Sequence, residues 1–159
     1  MIRIGEFSAD CNRVVVLSGT FIMQYATPAE AEDAFYSAFS RCDLDAMMQV
    51  WLDAEHVECI HPGSSRLQGT SAIRYSWEQI FSAGEQLQFR IVRHHCTQTA
   101  SLAIHSISEQ IQTDDADPAA MAEVITTNIY ELTADGWRMI LHHASPARAV
   151  TQPSGSTMH

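Results

Sequence analysis

The chain has 159 residues, 46% hydrophobic and 18% charged, enough for one buried core and a single globular domain. Nine basic residues against nineteen acidic ones give a net charge of -10, which repels phosphate backbones and anionic headgroups and excludes nucleic acid and membrane surfaces as partners. The four cysteines, Cys11, Cys42, Cys59 and Cys96, lie far apart with no Cys-x-x-Cys pair, which predicts free thiols in a reducing, cytoplasmic compartment.

Residues 14–23, VVVLSGTFIM, are apolar but far short of the ~20 residues that span a bilayer. Glu6 and Asp10 acidify the stretch before them, and Gln24-Tyr25-Ala26 is a poor cleavage site, so a secretory leader is not expected. Residues 1–26 read as an N-terminal extension, with Met23 as an alternative start. At Thr27-Pro28-Ala29-Glu30 a cap hydroxyl, a proline at the first helical position and a glutamate three residues after the cap predict a helix start. Ala31, Ala34, Phe35, Ala38 and Phe39 continue it as an apolar stripe to about Arg41. Asp43 is placed to cap a second, shorter helix through Trp51 that buries Leu44, Met47 and Met48.

His56 to His61 reads as a short strand ended by the turn Pro62-Gly63-Ser64-Ser65. Thr70 is placed to cap a third helix with Ile73, Trp77, Ile80 and Phe81 on one face, ending at Ser82-Ala83-Gly84. The period then changes to two, and four long strands follow at about 86–98, 101–112, 121–133 and 136–145. An acidic turn at 114–118 and a tight Ala134-Asp135-Gly136 hairpin make them an antiparallel meander. The tail, 148–159, has no apolar pattern and is expected to be disordered.

In the last strand, alternation puts Trp137, Met139, Leu141, His143 and Ser145 on one face, and Arg138, Ile140, His142 and Ala144 on the other. Three helices cover only one face of such a sheet. The uncovered face therefore predicts a homodimer through the sheet, with His142 at the interface and His143 inside.

Neighbouring strand residues point to opposite sides, so neither His142 with His143 nor His94 with His95 can ligate one ion; no metal site and no cofactor are expected. Ser145 shares a face with His143 but lacks a nucleophile elbow, which argues against a serine hydrolase. His61 ends the first strand, where a half-buried imidazole can move a proton near neutrality. Tyr36, Trp51 and Trp77 are core aromatics that also suit the wall of an apolar pocket. Asn128, in an otherwise apolar or hydroxylated strand, needs partners if it faces inward. Glu109, carried centrally in its strand, is a candidate general base if it faces in and a surface ion-pair member if it does not.

The order helix, helix, strand, helix, four strands, with Phe35-Tyr36, Asp43-Leu44-Asp45, Trp51, His61-Pro62-Gly63, Gly69, Trp77, Thr127-Asn128 and Gly136-Trp137-Arg138 through His142-His143-Ala144-Ser145-Pro146, resembles the SnoaL-like branch of the nuclear transport factor 2-like superfamily over about residues 27–147. That resemblance implies an α+β, cystatin-like fold: a cone-shaped barrel of strongly bent, mainly antiparallel sheet wrapped around three N-terminal helices, with an internal cavity and dimers through the sheet. The final strand also resembles that of the calcium/calmodulin-dependent protein kinase II association domain, which implies a pocket histidine at His143; Asn128 stands where that domain has a pocket arginine. Catalytic members of the superfamily use an aspartate, or an aspartate–histidine pair, as acid and base, and no such aspartate matches an inward position here. The expectation is a homodimer that binds a small apolar or carbonyl-containing ligand through Tyr36, Trp51, His61, Trp77, Asn128 and His143. The alternatives are an isomerase, dehydratase or cyclase using His61 and His143 for proton transfer, and a structural association module.

Overall fold

The computed structural model describes residues 13–17, 20–84, 87–113 and 122–147; the acidic turn and the tail lie outside them. Strands β1 (Arg13–Leu17) and β2 (Thr20–Gln24) pair as an antiparallel hairpin within the stretch read as an extension. Tyr25 follows buried, and its backbone bridges to Gly136.

Helix α1 (Pro28–Ser40) begins as its sequence dictates. Thr27 Oγ1 accepts from the Glu30 amide at 3.2 Å, and Glu30 Oε2 reaches back to the Ala26 amide at 2.8 Å. Such a reciprocal cap stabilises a helix start by about 1 kcal/mol. Asp43 caps α2 (Leu44–Val50) through the Ala46 amide at 3.0 Å. The third helix, α3 (Thr70–Ser82), is capped differently from the expectation. Gly69, at φ 85°, takes the cap position that the residue before the helix must occupy. The Thr70 hydroxyl instead ties down the preceding loop, bonding Leu52 O, Ala54 O and the Ala54 amide.

Strands β3 (Glu58–Ile60) and β4 (Leu67–Gln68) form one edge of a six-stranded sheet, and β5 (Leu87–Gln98), β6 (Leu102–Thr113), β7 (Ala122–Thr133) and β8 (Gly136–Pro146) form the rest. The order is β4-β3-β8-β7-β6-β5; every pairing is antiparallel except β3 with β8. The meander is thus as expected, and the helices bury their apolar stripes on its inner face. Phe35, at the centre, meets Tyr36, Trp51, Trp77 and His142 with ring centroids 4.9 to 6.4 Å apart.

Two β-bulges bend the sheet. In β5, Arg93 pairs with Ile107 and His95 with Ser106, which leaves His94 as the extra residue. In β8, Met139 pairs with Tyr130 and Leu141 with Ile129, which leaves Ile140 extra. This second bulge overturns the simple alternation of the last strand: Trp137 and Met139 face in, but beyond Ile140 the inward residues are His142 and Ala144. His143 is exposed on the outer face, beside Thr127. The two histidines have changed places relative to the expectation because one extra residue shifts every later side chain to the opposite face.

Candidate functional site

Register places chemically active side chains in one inward row across four strands. Cys59 of β3 lies beside His142 of β8, His142 beside Asn128 of β7, and Asn128 beside His105 of β6. Two buried glutamates approach this row, Glu32 from α1 and Glu109 from β6.

Glu32 is fully buried and receives four donors: Arg93 Nε at 2.6 Å on Oε1, and His105 Nδ1 at 2.9 Å, Tyr130 Oη at 3.2 Å and Asn128 Nδ2 at 3.3 Å on Oε2. Burial by itself pushes its pKa up, but the bonds and charges of His105 and Arg93 outweigh burial and hold the carboxyl below its usual range. Arg93 also bonds Asp33 Oδ1 at 2.6 Å, so its guanidinium clamps the helix to the sheet.

Glu109 is the opposite case. Burial raises its pKa, and the charge of Glu32 adds to that, while hydrogen bonds from Tyr36 and Thr126 only partly offset the rise. Tyr36 Oη donates at 2.6 Å and Thr126 Oγ1 at 2.9 Å, both to Oε1. Oε2 has no partner among the described residues. A mid-strand carboxyl is thus anchored through one oxygen, in contact through Tyr36 with an aromatic group, and its other oxygen is not among the sealed unpartnered atoms of the described residues, which are Gln49 Oε1, Trp51 Nε1 and Trp77 Nε1. Phe89 lies 5.5 Å from Tyr36 and 4.6 Å from Phe39, and Phe39 lies 6.0 Å from Phe81 and 4.8 Å from Trp77. Phe39, Phe81 and Phe89 are only partly buried, so this aromatic wall extends from the core to the surface.

His142 Nδ1 meets Asn128 Oδ1 at 2.8 Å, and the ring packs on Phe35. Burial, with His61 and His143 nearby, pushes its pKa down to about 3, so it is neutral at ordinary pH. His61 sits half-buried with its ring 6.4 Å from that of His142 and 4.8 Å from that of Trp77; its Nε2 meets Ser76 Oγ at 2.8 Å. Burial lowers its pKa as well. The thiol of Cys59, 3.7 Å from His61 Nε2, is pushed up to about 12 by burial and the charge of Glu109, so it is a poor nucleophile.

Of the residues singled out from sequence, the structure brings Tyr36, His61, Trp77 and Asn128 together around His142 and Glu109. Trp51 stands apart, bridged to Met139 and lining a separate recess of about 270 Å³ with Gln49, Asp53 and Arg138. His143 is on the far side of the sheet. No group of histidine, cysteine and carboxylate side chains that could hold a metal ion occurs among the described residues. Sequence reasoning missed Glu32, Arg93 and His105. The period-two series Ala103, His105, Ile107, Glu109 carried the signal for His105; all four are buried.

The chain matches the SnoaL-like domain family over residues 29–149. A crystal structure described as a calcium/calmodulin-dependent protein kinase type II association domain from Thiobacillus denitrificans is 39% identical, with a TM-score of 0.74, covering 79% of this chain and 98% of that one. A protein of the nuclear transport factor 2-like family from Streptomyces avermitilis, named as a dehydratase, is 30% identical with a TM-score of 0.68, covering 76% of this chain and 94% of that one. The F-box protein SKIP8 of Arabidopsis thaliana is 25% identical over 118 residues, 70% of this chain; the chain spans 46% of that relative's length. No helix among the described residues is long and apolar enough to cross a membrane. With its three helices on a bent, mostly antiparallel sheet, the chain belongs to the SnoaL-like domain family and has the nuclear transport factor 2-like, α+β fold.

Proposed function

We propose that this chain is a small-molecule-binding domain whose site lies between the aromatic wall and the Glu109–Tyr36 pair, taking a ligand with an apolar body and one hydrogen-bonding end. The observation that carries this reading is Glu109 Oε2: Oε1 takes both hydrogen bonds of this carboxyl, and Oε2 is not one of the sealed, unpartnered side-chain atoms of the interior, which leaves it available to a ligand. Tyr36 bonds Glu109, Asn128 approaches the Tyr36 hydroxyl, and His142, His61 and Trp77 continue the lining from Asn128; Trp51 and His143 have no part in it. A thermal-shift screen of carbonyl- and hydroxyl-bearing small molecules tests the assignment. Stabilisation by a hit should be lost in Glu109→Gln and kept in His143→Ala; the reverse pattern would place the site elsewhere.

The two glutamates favour a second reading. One is held ionised and the other is made easier to protonate, the kind of separation that assigns acid and base roles in proton-transfer enzymes. In that reading Glu109, not a histidine, takes a proton next to a carbonyl, and Tyr36 orients it. It accords with the name of the Streptomyces relative. Turnover of a screened carbonyl compound falling by about 10²-fold or more in Glu109→Gln, with binding retained, supports catalysis.

The outer sheet face carries Ile104, Ile129 and Leu141 in one row, with Ile125 54% exposed nearby. We propose that a second copy of the chain covers it, with His143 at the interface. Sedimentation should give a dimer at micromolar concentration that Ile125→Asp dissociates; a monomeric wild type would end this part of the proposal.

A further inference from the structure

The hydrogen bonds that link Glu32, Tyr36 and Asn128 share one direction, and it ends on His142. Arg93 donates to Glu32 Oε1 at 2.6 Å, and its charge with that of His105 keeps the carboxyl ionised, so Oε2 accepts from His105, Tyr130 and Asn128. Tyr36 gives its only proton to Glu109 at 2.6 Å, so its oxygen is left as an acceptor. Asn128 lies between these acceptors, 3.3 Å from Glu32 Oε2 and 3.4 Å from Tyr36 Oη, and both distances are made by Nδ2. Turning the amide over would set Oδ1 against a carboxylate and a committed phenol oxygen, both of which repel it. The amide is therefore locked from two sides, and Oδ1 must point at His142.

An amide oxygen accepts only, so the His142 nitrogen 2.8 Å away, Nδ1, must carry the proton. A neutral imidazole has one N–H, which leaves Nε2 as a bare lone pair. No described residue donates to it.

We propose that Asn128 is a specificity-setting residue: it fixes His142 as the Nδ1–H tautomer, so that this wall of the site accepts a hydrogen bond from a ligand hydroxyl or N–H and turns away a ligand that presents only an acceptor there. This rests on the binding reading above and narrows its ligand class. Asn128 acts through His142, so its role is positioning. The relay begins at Glu32, whose charge is kept by Arg93 and His105 on the sheet.

Long-range ¹H–¹⁵N correlation on the full, histidine-labelled chain without ligand reads the tautomer directly. The expected pattern for His142 is a protonated Nδ1 and a bare Nε2. Glu32→Gln supplies an amide that can donate to Asn128 Oδ1, which releases the lock, and the Nε2–H form should then appear; Asn128→Ala should do the same. A wild-type His142 with a protonated Nε2 overturns the proposal, and so does a tautomer unchanged in both variants.

Phenol and anisole, which carries a methyl group in place of the hydroxyl proton, probe the ligand side. Phenol should bind about tenfold tighter and shift the Nε2 resonance of His142, a preference reduced in Asn128→Ala. Equal affinity for the two probes overturns the specificity role. If no compound in the thermal-shift screen stabilises the chain, the binding reading fails instead, while the tautomer remains readable on the free protein.

Discussion

Tyr36 and Glu109, 73 residues apart in sequence, meet at 2.6 Å in the core, with the tyrosine hydroxyl donating to the carboxyl. This bond joins the first helix to the centre of the sheet and favours the ionised form of a group whose pKa burial raises. The consequence for stability has a definite sign. An unfolded Glu109 loses its proton near pH ~4.3, while the folded one holds it to higher pH, so stability falls as pH rises through that window and is flat below it. Glu109→Gln should remove this fall. Tyr36→Phe should widen the window upward and cost about 1–3 kcal/mol, because Oε1 then keeps only the Thr126 bond. Denaturant unfolding from about pH 4 to about pH 8 checks both; an unchanged slope in Glu109→Gln contradicts the assignment.

Glu32 gives the opposite slope. Its folded pKa is depressed, so its contribution is present above the ordinary carboxyl pKa and lost as pH falls through the folded value. Arg93 contributes much of that through the 2.6 Å bond to Oε1. The Arg93 side chain is 37% exposed, which screens the pair. Arg93→Ala should therefore cost about 1–3 kcal/mol, less than the loss of a partner from a fully buried pair. Arg93→Lys should fall between, since an ammonium keeps the charge but cannot hold Glu32 and Asp33 with a planar fork. Acid unfolding midpoints ordered wild type, Lys, Ala are the expected result.

The two adjacent histidines should behave as different kinds of residue. His142→Ala removes a ring packed on Phe35 and orphans Asn128 Oδ1, a loss of roughly 2–4 kcal/mol. His143→Ala, on the exposed face, should stay within ~0.5 kcal/mol in the monomer. With a folded pKa of about 3, His142 contributes stability that is fully present above the unfolded histidine pKa and is lost as pH falls from there toward about 3. His142→Gln, which can still donate to Asn128, should flatten that region. Diethyl pyrocarbonate followed by mass spectrometry on the monomeric Ile125→Asp chain gives an independent reading: His143 should be modified there and His142 spared.

Why His142 was misplaced from sequence, while Asn128 was not, is a matter of what alternation can see. Asn128 lies in β7, whose inward residues Val124, Thr126, Asn128 and Tyr130 keep an unbroken period of two. In β8 the bulge falls at Ile140-Leu141, two similar apolar residues that give no local sign that one is extra. Helix starts were legible because caps are local: Thr27 and Asp43 bond amides three residues on. Glu32 was not legible, because a glutamate in a helix defaults to solvent. Only Arg93, His105, Asn128 and Tyr130, brought by three different strands, make its burial tolerable.

Gly136 is the position where the least chemical change should do the most structural harm. It opens β8 at φ 93°, a conformation that costs a residue with a Cβ about 1–3 kcal/mol. A Cβ there would also lie 2.6 Å from Tyr25 O and 3.0 Å from Tyr25 N, both backbone atoms that cannot rotate away. That carbonyl accepts the Trp137 amide at 2.9 Å, so relieving the clash means breaking the bond that holds Tyr25 to the sheet. Tyr25 is buried, and its ring lies 5.2 Å from the Arg138 guanidinium. Gly136→Ala should therefore destabilise by more than the backbone term alone, and hydrogen exchange should show the amide of Trp137 losing protection before those of β6. If Gly136→Ala unfolds within ~0.5 kcal/mol of wild type, the close approach of Tyr25 to the turn does not exist in solution.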